Sequence, residues 1–202
     1  KMFYHILRFI LKPLISNLFS LKIIGFENIP EKGGYILVMN HFNHIDPVFI
    51  AIADERRIYF LTRAKAFREL KSIFWVRFTK QIPVEENNSA KAIKKSVEYL
   101  KKGKVIGIFP EGTIVGASKL RRFRTGVARI ALEARAPIIP IALINTTGIL
   151  SEKYYFPKKI QKVIVRIGKP LNFKKYYGRQ NDRRITKKVA NKVRLEVRKL
   201  LK

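Results

Sequence analysis

The chain contains no cysteine, which excludes disulfides, thiolate metal sites and a cysteine nucleophile. It also lacks a Gly-x-Ser-x-Gly elbow, a P-loop, a Gly-x-Gly-x-x-Gly turn and any His/Asp/Glu grouping with metal-ligand spacing. A serine hydrolase, a nucleotide-binding fold and a resident metal are therefore not indicated. No internal repeat, low-complexity tract or linker interrupts the 202 residues. Acidic residues are scarce as well, 14 against 43 Lys and Arg, for a formal net charge of +29. A surplus of that size calls for anionic company, whether nucleic acid, an anionic bilayer or phosphorylated substrates. With 47% hydrophobic residues, one globular domain is expected.

The spacing predicts a helix over residues 1–19. Lys1, His5, Arg8 and Lys12 fall on one stripe, and apolar residues from Met2 to Phe19 cover the rest. Basic interruptions at Arg8 and Lys12 make it a poor bilayer span, which needs about 20 apolar residues. The pattern suits a helix lying in a membrane interface, its basic stripe (Arg8 and Lys12) toward the headgroups. A core helix with a narrow solvent-facing stripe has the same pattern. Pro13 is expected to bend or split it.

Beyond it, apolar runs and helical periodicities alternate. Strands are expected at 35–39, 58–61, 81–84, 105–109, 138–144 and 162–167. Helices are expected at 47–53, 89–101, 125–135 and 183–201, with a partly helical basic segment over 65–78. Such alternation means an α/β domain with a mostly parallel or mixed central sheet flanked by helices, here preceded by the N-terminal interfacial helix. The expected organisation is residues 1–20 as the membrane helix and 21–202 as the domain.

Two short segments carry chemistry. Asn40-His41-Phe42-Asn43-His44-Ile45-Asp46-Pro47 follows the apolar run 35–39. A turn of five residues can return Asp46 to His41, and a carboxylate on one imidazole nitrogen makes the other a better base. Asp46 before Pro47 also reads as an ordinary helix N-cap, and His41 as a turn histidine. His5 and His44 read as structural or surface residues. The second segment, Phe109-Pro110-Glu111-Gly112-Thr113, follows the run 105–109. Both follow strands expected to be central, at whose C-terminal ends α/β sheets place ligand sites.

Together the segments resemble the glycerolipid acyltransferase family, whose signatures are Asn-His-x4-Asp and Phe-Pro-Glu-Gly-Thr. The 70-residue spacing between His41 and Glu111 fits, as do Gly25-Phe26-Glu27-Asn28-Ile29-Pro30, Arg63-Ala64-Lys65 and Pro137-Ile138-Ile139-Pro140-Ile141. The resemblance covers residues 21–170 and is nearest to the lysophosphatidic acid acyltransferases. It implies transfer of a fatty acyl group from an acyl thioester, acyl-CoA or acyl-ACP, to the free hydroxyl of lysophosphatidic acid, with no other cofactor. His41 would be the general base and Asp46 its orienting partner. Glu111 and Thr113 would bind the glycerol phosphate or shape the loop, and amides near Gly112 would face the oxyanion. It further implies a peripheral enzyme on the cytoplasmic face of an anionic membrane.

The chain departs from the family at two arginines thought to serve the substrate phosphate. Ile114 follows Thr113, and Glu85 and Glu86 follow the strand at 81–84. Arg63, Lys65, Arg122 and Arg124 are the candidate replacements, the last two on one side of an extended stretch around Phe123. Plain surface charge explains the same residues. A nucleic-acid-binding domain, a non-catalytic lipid-binding module, and acylation of glycerol-3-phosphate or another lyso-lipid remain the competing readings. The nucleic-acid reading lacks aromatics interleaved with the basic residues.

Overall fold

In the computed structural model, residues 2–67, 81–86, 88–114, 120–150 and 157–202 are described, with backbone alone for residues 2–8. Seven strands form one sheet: β1 Lys22–Ile24, β2 Tyr35–Met39, β3 Ile58–Arg63, β4 Ile82–Val84, β5 Val105–Ile108, β6 Ile138–Ile144 and β7 Ile164–Ile167. The helices are α1 Met2–Leu18, α2 Asp46–Ala53, α3 Ala90–Lys101, α4 Gly126–Ala134 and α5 Arg183–Leu200. Strand order is β1-β7-β6-β2-β5-β3-β4. Pairing is parallel throughout except between β6 and β7, so the sheet is mixed, as expected. The segment expected to be helical over 65–78 is a 3-10 turn at Ala64–Phe67, and its remainder lies outside the described residues.

Burial of both sheet faces explains why β2 is an unbroken apolar run. Ile36 and Val38 enter one core with α3, α4 and α5, through Ile93, Val97, Val127, Val189 and Val193. Tyr35, Leu37 and Met39 enter the other with Phe49 and Ile50 of α2. Alternate residues of one strand thus serve two cores, the arrangement a parallel sheet with helices on both sides requires. β7 lies nearer the sheet's edge and alternates half-buried with buried positions.

α1 runs without a break through Pro13, contrary to the expected bend or split. Phe9 and Pro13 are both exposed, so water can reach the Phe9 carbonyl that Pro13 leaves without a donor. The helix is fastened at its C-terminal end. Phe19 is buried edge-on against Phe49, with ring centroids 5.3 Å apart, and Ile15 packs on the same core. The chain therefore passes from the expected membrane helix into the domain through shared packing.

At the strands' N-terminal end the buried Tyr35 hydroxyl donates to Asp54 Oδ2 at 2.6 Å, and Arg56 N–H donates to Asp54 Oδ1 at 2.8 Å. Burial, then the Asp54 charge, pushes the Tyr35 hydroxyl's pKa well up, so it stays a donor. Gly107 of β5 is a packing requirement of another kind. A Cβ there would lie 2.4 Å from Phe60 Cδ1. Gly107→Ala is expected to destabilise the protein by about 1–3 kcal/mol, the usual cost of overpacking. A lower urea midpoint at unchanged m-value would show it, and an unchanged midpoint would mean that Phe60 moves without cost.

Candidate active site

β2 and β5 are adjacent and parallel, so their C-terminal ends place the two sequence motifs side by side. The first turn closes on Asp46. Its side chain is fully buried, and Oδ2 accepts from His41 Nδ1 at 3.0 Å, from Phe42 N–H at 2.8 Å and from Asn43 N–H at 2.8 Å. The alternative reading of Asp46 as an N-cap does not hold. The helix begins at Asp46 itself with Ile45 in the cap position, and the carboxylate turns back to satisfy amides of the preceding turn. The contact turns Nδ1 of His41 toward the carboxylate and Nε2 away from it.

His41 is held in two further ways. Phe109 stacks on its ring at 4.0 Å between centroids and 26° between planes, and Phe60 stacks on Phe109 at 5.8 Å. Its backbone N–H donates to Glu111 Oε1 at 3.0 Å, while Glu111 Oε2 accepts from Arg121 N–H at 2.7 Å. Glu111 is 5% exposed. Both its oxygens are taken by main-chain donors, so of the two roles expected for it the structure supports shaping the loop.

Two asparagines were not singled out from the sequence. Asn40 donates to Leu143 O at 2.9 Å and accepts from Leu143 N–H at 2.8 Å, tying the end of β2 to β6. Asn43 donates to Leu150 O at 3.0 Å and accepts from Leu150 N–H at 3.3 Å. Both are buried. Three asparagines or aspartates within seven residues of a predicted strand end were a visible signal that the turn makes side-chain bonds to backbone. Which backbone they reach was not visible.

The expected substrate-binding residues divide. Gly112 adopts φ +73° and donates its N–H back to Phe109 O at 3.1 Å. That amide is engaged within its own turn. Arg63 Nε and Nη2 donate to Gly112 O at 3.0 and 2.5 Å. Arg124 lies over the same glycine, where a Cβ would meet its Nε at 2.6 Å. Thr113 is half-buried, and Lys65 and Arg122 are exposed. Arg194 of α5 steadies the loop behind them through the carbonyls of Arg121 and Leu120, at 2.8 and 3.0 Å.

Comparison with known proteins places this geometry. A family model described as Acyltransferase matches residues 20–144, more than half of the chain. The 1-acyl-sn-glycerol-3-phosphate acyltransferase of Bacillus subtilis (strain 168) is 30% identical over 168 residues, covering 80% of this chain and 79% of that protein. The protein of the same name from Salmonella typhimurium is 32% identical over 147 residues, 66% of this chain and 57% of its own length. The crystal structure of the 1-acyl-sn-glycerophosphate (LPA) acyltransferase PlsC from Thermotoga maritima superposes with a TM-score of 0.70 at 21% identity. It covers 96% of this chain and 80% of that one, a likeness of fold. The matched stretch runs through both loops that meet at Glu111 and through the His41–Asp46 pair, and the chain belongs to the Acyltransferase family.

Proposed function

We propose that the protein transfers a fatty acyl group from an acyl thioester to the free hydroxyl of lysophosphatidic acid, giving phosphatidic acid for phospholipid synthesis. The observation that carries the chemistry is the 3.0 Å bond from His41 Nδ1 to a buried carboxylate, which commits that nitrogen and leaves Nε2 as the base. As the acceptor oxygen bonds to the thioester carbonyl carbon, its proton passes to Nε2. The tetrahedral oxyanion then collapses, the carbon–sulfur bond breaks, and the imidazolium returns the proton to the departing thiolate. Asp46 supplies the counter-charge while His41 is protonated. The thioester is already activated, so no covalent acyl-enzyme is required. The donor is acyl-CoA or acyl-ACP.

The setting we propose is a membrane surface. Phe9, Ile10, Leu14 and Leu18 of α1 are exposed large apolar residues, with Phe9 81% accessible, and Lys12 is exposed beside them. Among the described residues no helix is long and apolar enough to cross a membrane. A helix lying in the interface accounts for both facts. Arg8 belongs to the same basic stripe by sequence, though its side chain lies outside the described residues. The cytoplasmic face is the side we propose, where anionic lipids attract a chain of net charge +29.

Purified protein given labelled acyl thioester and lysophosphatidic acid is expected to form phosphatidic acid, identified by mass. His41→Ala should lower turnover by about 10²–10⁴ with an unchanged circular-dichroism melt, and a folded variant at wild-type rate would exclude the base assignment. Asp46→Asn should lower both turnover and stability. An amide keeping its oxygen toward the three donors turns its NH2 into the buried Oδ1 position and loses the charge that balances imidazolium. Stability and activity that both survive would mean that the carboxylate is dispensable.

For the membrane, Phe9→Ser with Leu14→Ser should reduce co-sedimentation with phosphatidylglycerol vesicles at any salt. Replacing Arg8 and Lys12 by Glu should reduce it chiefly at low salt, because exposed charges are screened over about 10 Å at 0.1 M. Binding that ignores both pairs of changes would place the contact elsewhere on the protein.

A further inference from the structure

We infer that residues 158–162, on the connection into β7, form a second contact with an anionic bilayer, in which Ile160 enters the interface while Lys159 and Lys162 meet lipid phosphates; the inference rests on the membrane setting proposed above. Among the described residues Ile160, 62% accessible, is the most exposed large apolar side chain outside α1. A single exposed isoleucine is ordinary on a protein surface. Its support, its charge and its place set this one apart.

The segment is fastened on both sides of Ile160. Lys158 N–H donates to Ile149 O at 2.8 Å and Val163 N–H to Phe19 O at 2.9 Å. Between them the Gln161 side-chain amide donates to the carbonyls of Asn145 and Thr147. Val163 is fully buried in the core that holds Phe19 and Phe49. Exposure alternates, so Gln161 and Val163 turn inward while Ile160 and Lys162 stand out. The fold thus holds an apolar side chain in solvent by a set of bonds.

No acidic residue precedes Glu27, and none stands between Glu152 and Asp182. The two stretches that meet at Val163 are therefore basic without compensation of their own. Lys22, whose N–H donates to Val163 O at 2.9 Å, is exposed, as are Lys159 and Lys162. An apolar side chain among lysines matches acyl chains beneath anionic headgroups, where burial and attraction add.

The exposed apolar face of α1 ends at Leu18, next to the Phe19 that Val163 bonds. Ile160 lies three residues before Val163, within about 11 Å of it even in a fully extended chain. Lys22, Ile144 and Ile164 stand in register across β1, β6 and β7, at the end of the sheet where Met39 of β2 leads into His41. A lone interfacial helix leaves the domain free to roll about the helix axis. A second contact removes that freedom and holds the His41 end of the sheet at the bilayer.

The chain has no cysteine, so Ile160→Cys accepts a single environment-sensitive dye. Phosphatidylglycerol vesicles should shift its emission to the blue and allow quenching by spin-labelled lipid. The same dye on Lys101→Cys, at the opposite end of the sheet where α3 leads into β5, should stay in water. In the unlabelled full chain, Lys159→Glu with Lys162→Glu should lower vesicle partitioning about tenfold at low salt. Ile160→Ser should lower it about threefold or more at any salt. Lys91→Glu with Lys94→Glu makes the same change of charge on α3, across the sheet, and should cost much less. Equal losses from the two lysine pairs, or a dye at 160 that stays in water on bound protein, would overturn the second contact. A dye that responds to an acidic protein but not to vesicles would overturn it too, making the segment a protein-docking surface. If the dye enters lipid while Phe9→Ser with Leu14→Ser leaves binding unchanged, the second contact stands and the reading of α1 falls. If that serine pair abolishes binding and the dye stays in water on protein with α1 intact, the reverse holds.

Discussion

One carboxylate oxygen sets the shape of the site. Asp46 Oδ2 gathers an imidazole nitrogen and two backbone amides while its side chain is fully buried. A buried carboxylate is costly unless such donors surround it, and two of these donors can reach it only if the chain from His41 to Asn43 curls around it. The turn and the His41–Asp46 contact are therefore one structure. One oxygen thus holds both the His41 ring and the backbone that carries it. Glu111 repeats the device at larger scale. Its two oxygens join the main chain at His41 to the main chain at Arg121, so the loop after β5 is registered against the loop after β2 by a single side chain.

Much of this was legible in the sequence because the relevant physics is local. The run Tyr35 to Met39 announced a strand buried on both faces, and a strand followed by His41 and Asp46 announced a carboxylate–imidazole turn. What the sequence could not carry is pairing across long separations. Asn40 meets Leu143, Asn43 meets Leu150 and Glu111 meets His41, and each pairing depends on strand order. The direction of β7, antiparallel to β6 and parallel to β1, is a property of the connection from β6 and leaves no mark in its own four residues. Asp46 carried two readings that the sequence left side by side. Asp before Pro at a helix start is compatible with a cap, and only the position of the turn decides whether the carboxylate faces forward to the helix or back to the strand end.

The two ends of the sheet are stiffened by different means. At the N-terminal end Tyr35, Asp54 and Arg56 form a buried polar network, and Arg56 extends it to the carbonyls of Gly33 and Gly103. At the C-terminal end His41, Phe109 and Phe60 form a stack of rings, and Gly107 leaves the space that Phe60 occupies. A stack transmits displacement: moving Phe60 moves the surface on which Phe109 rests, and Phe109 is one face of the His41 pocket. Gly107 lies in the strand rather than in either motif, yet its missing side chain helps set the position of the His41 ring.

The scarcity of acids acquires a structural meaning at this point. Asp46 and Glu111 are both buried, and Asp46 Oδ2 and both Glu111 oxygens face inward to backbone amides and, for Asp46, to His41. The two acids built into the motifs therefore do not compete for the arginines around Gly112. A basic surface with its nearby acids turned inward presents an almost uniform sign to whatever approaches, which favours encounter with anions of several kinds. Selectivity among those anions must then come from geometry rather than from net charge. The geometry this fold fixes is the placing of the loop after β5 against the loop after β2, held by the Glu111 brace.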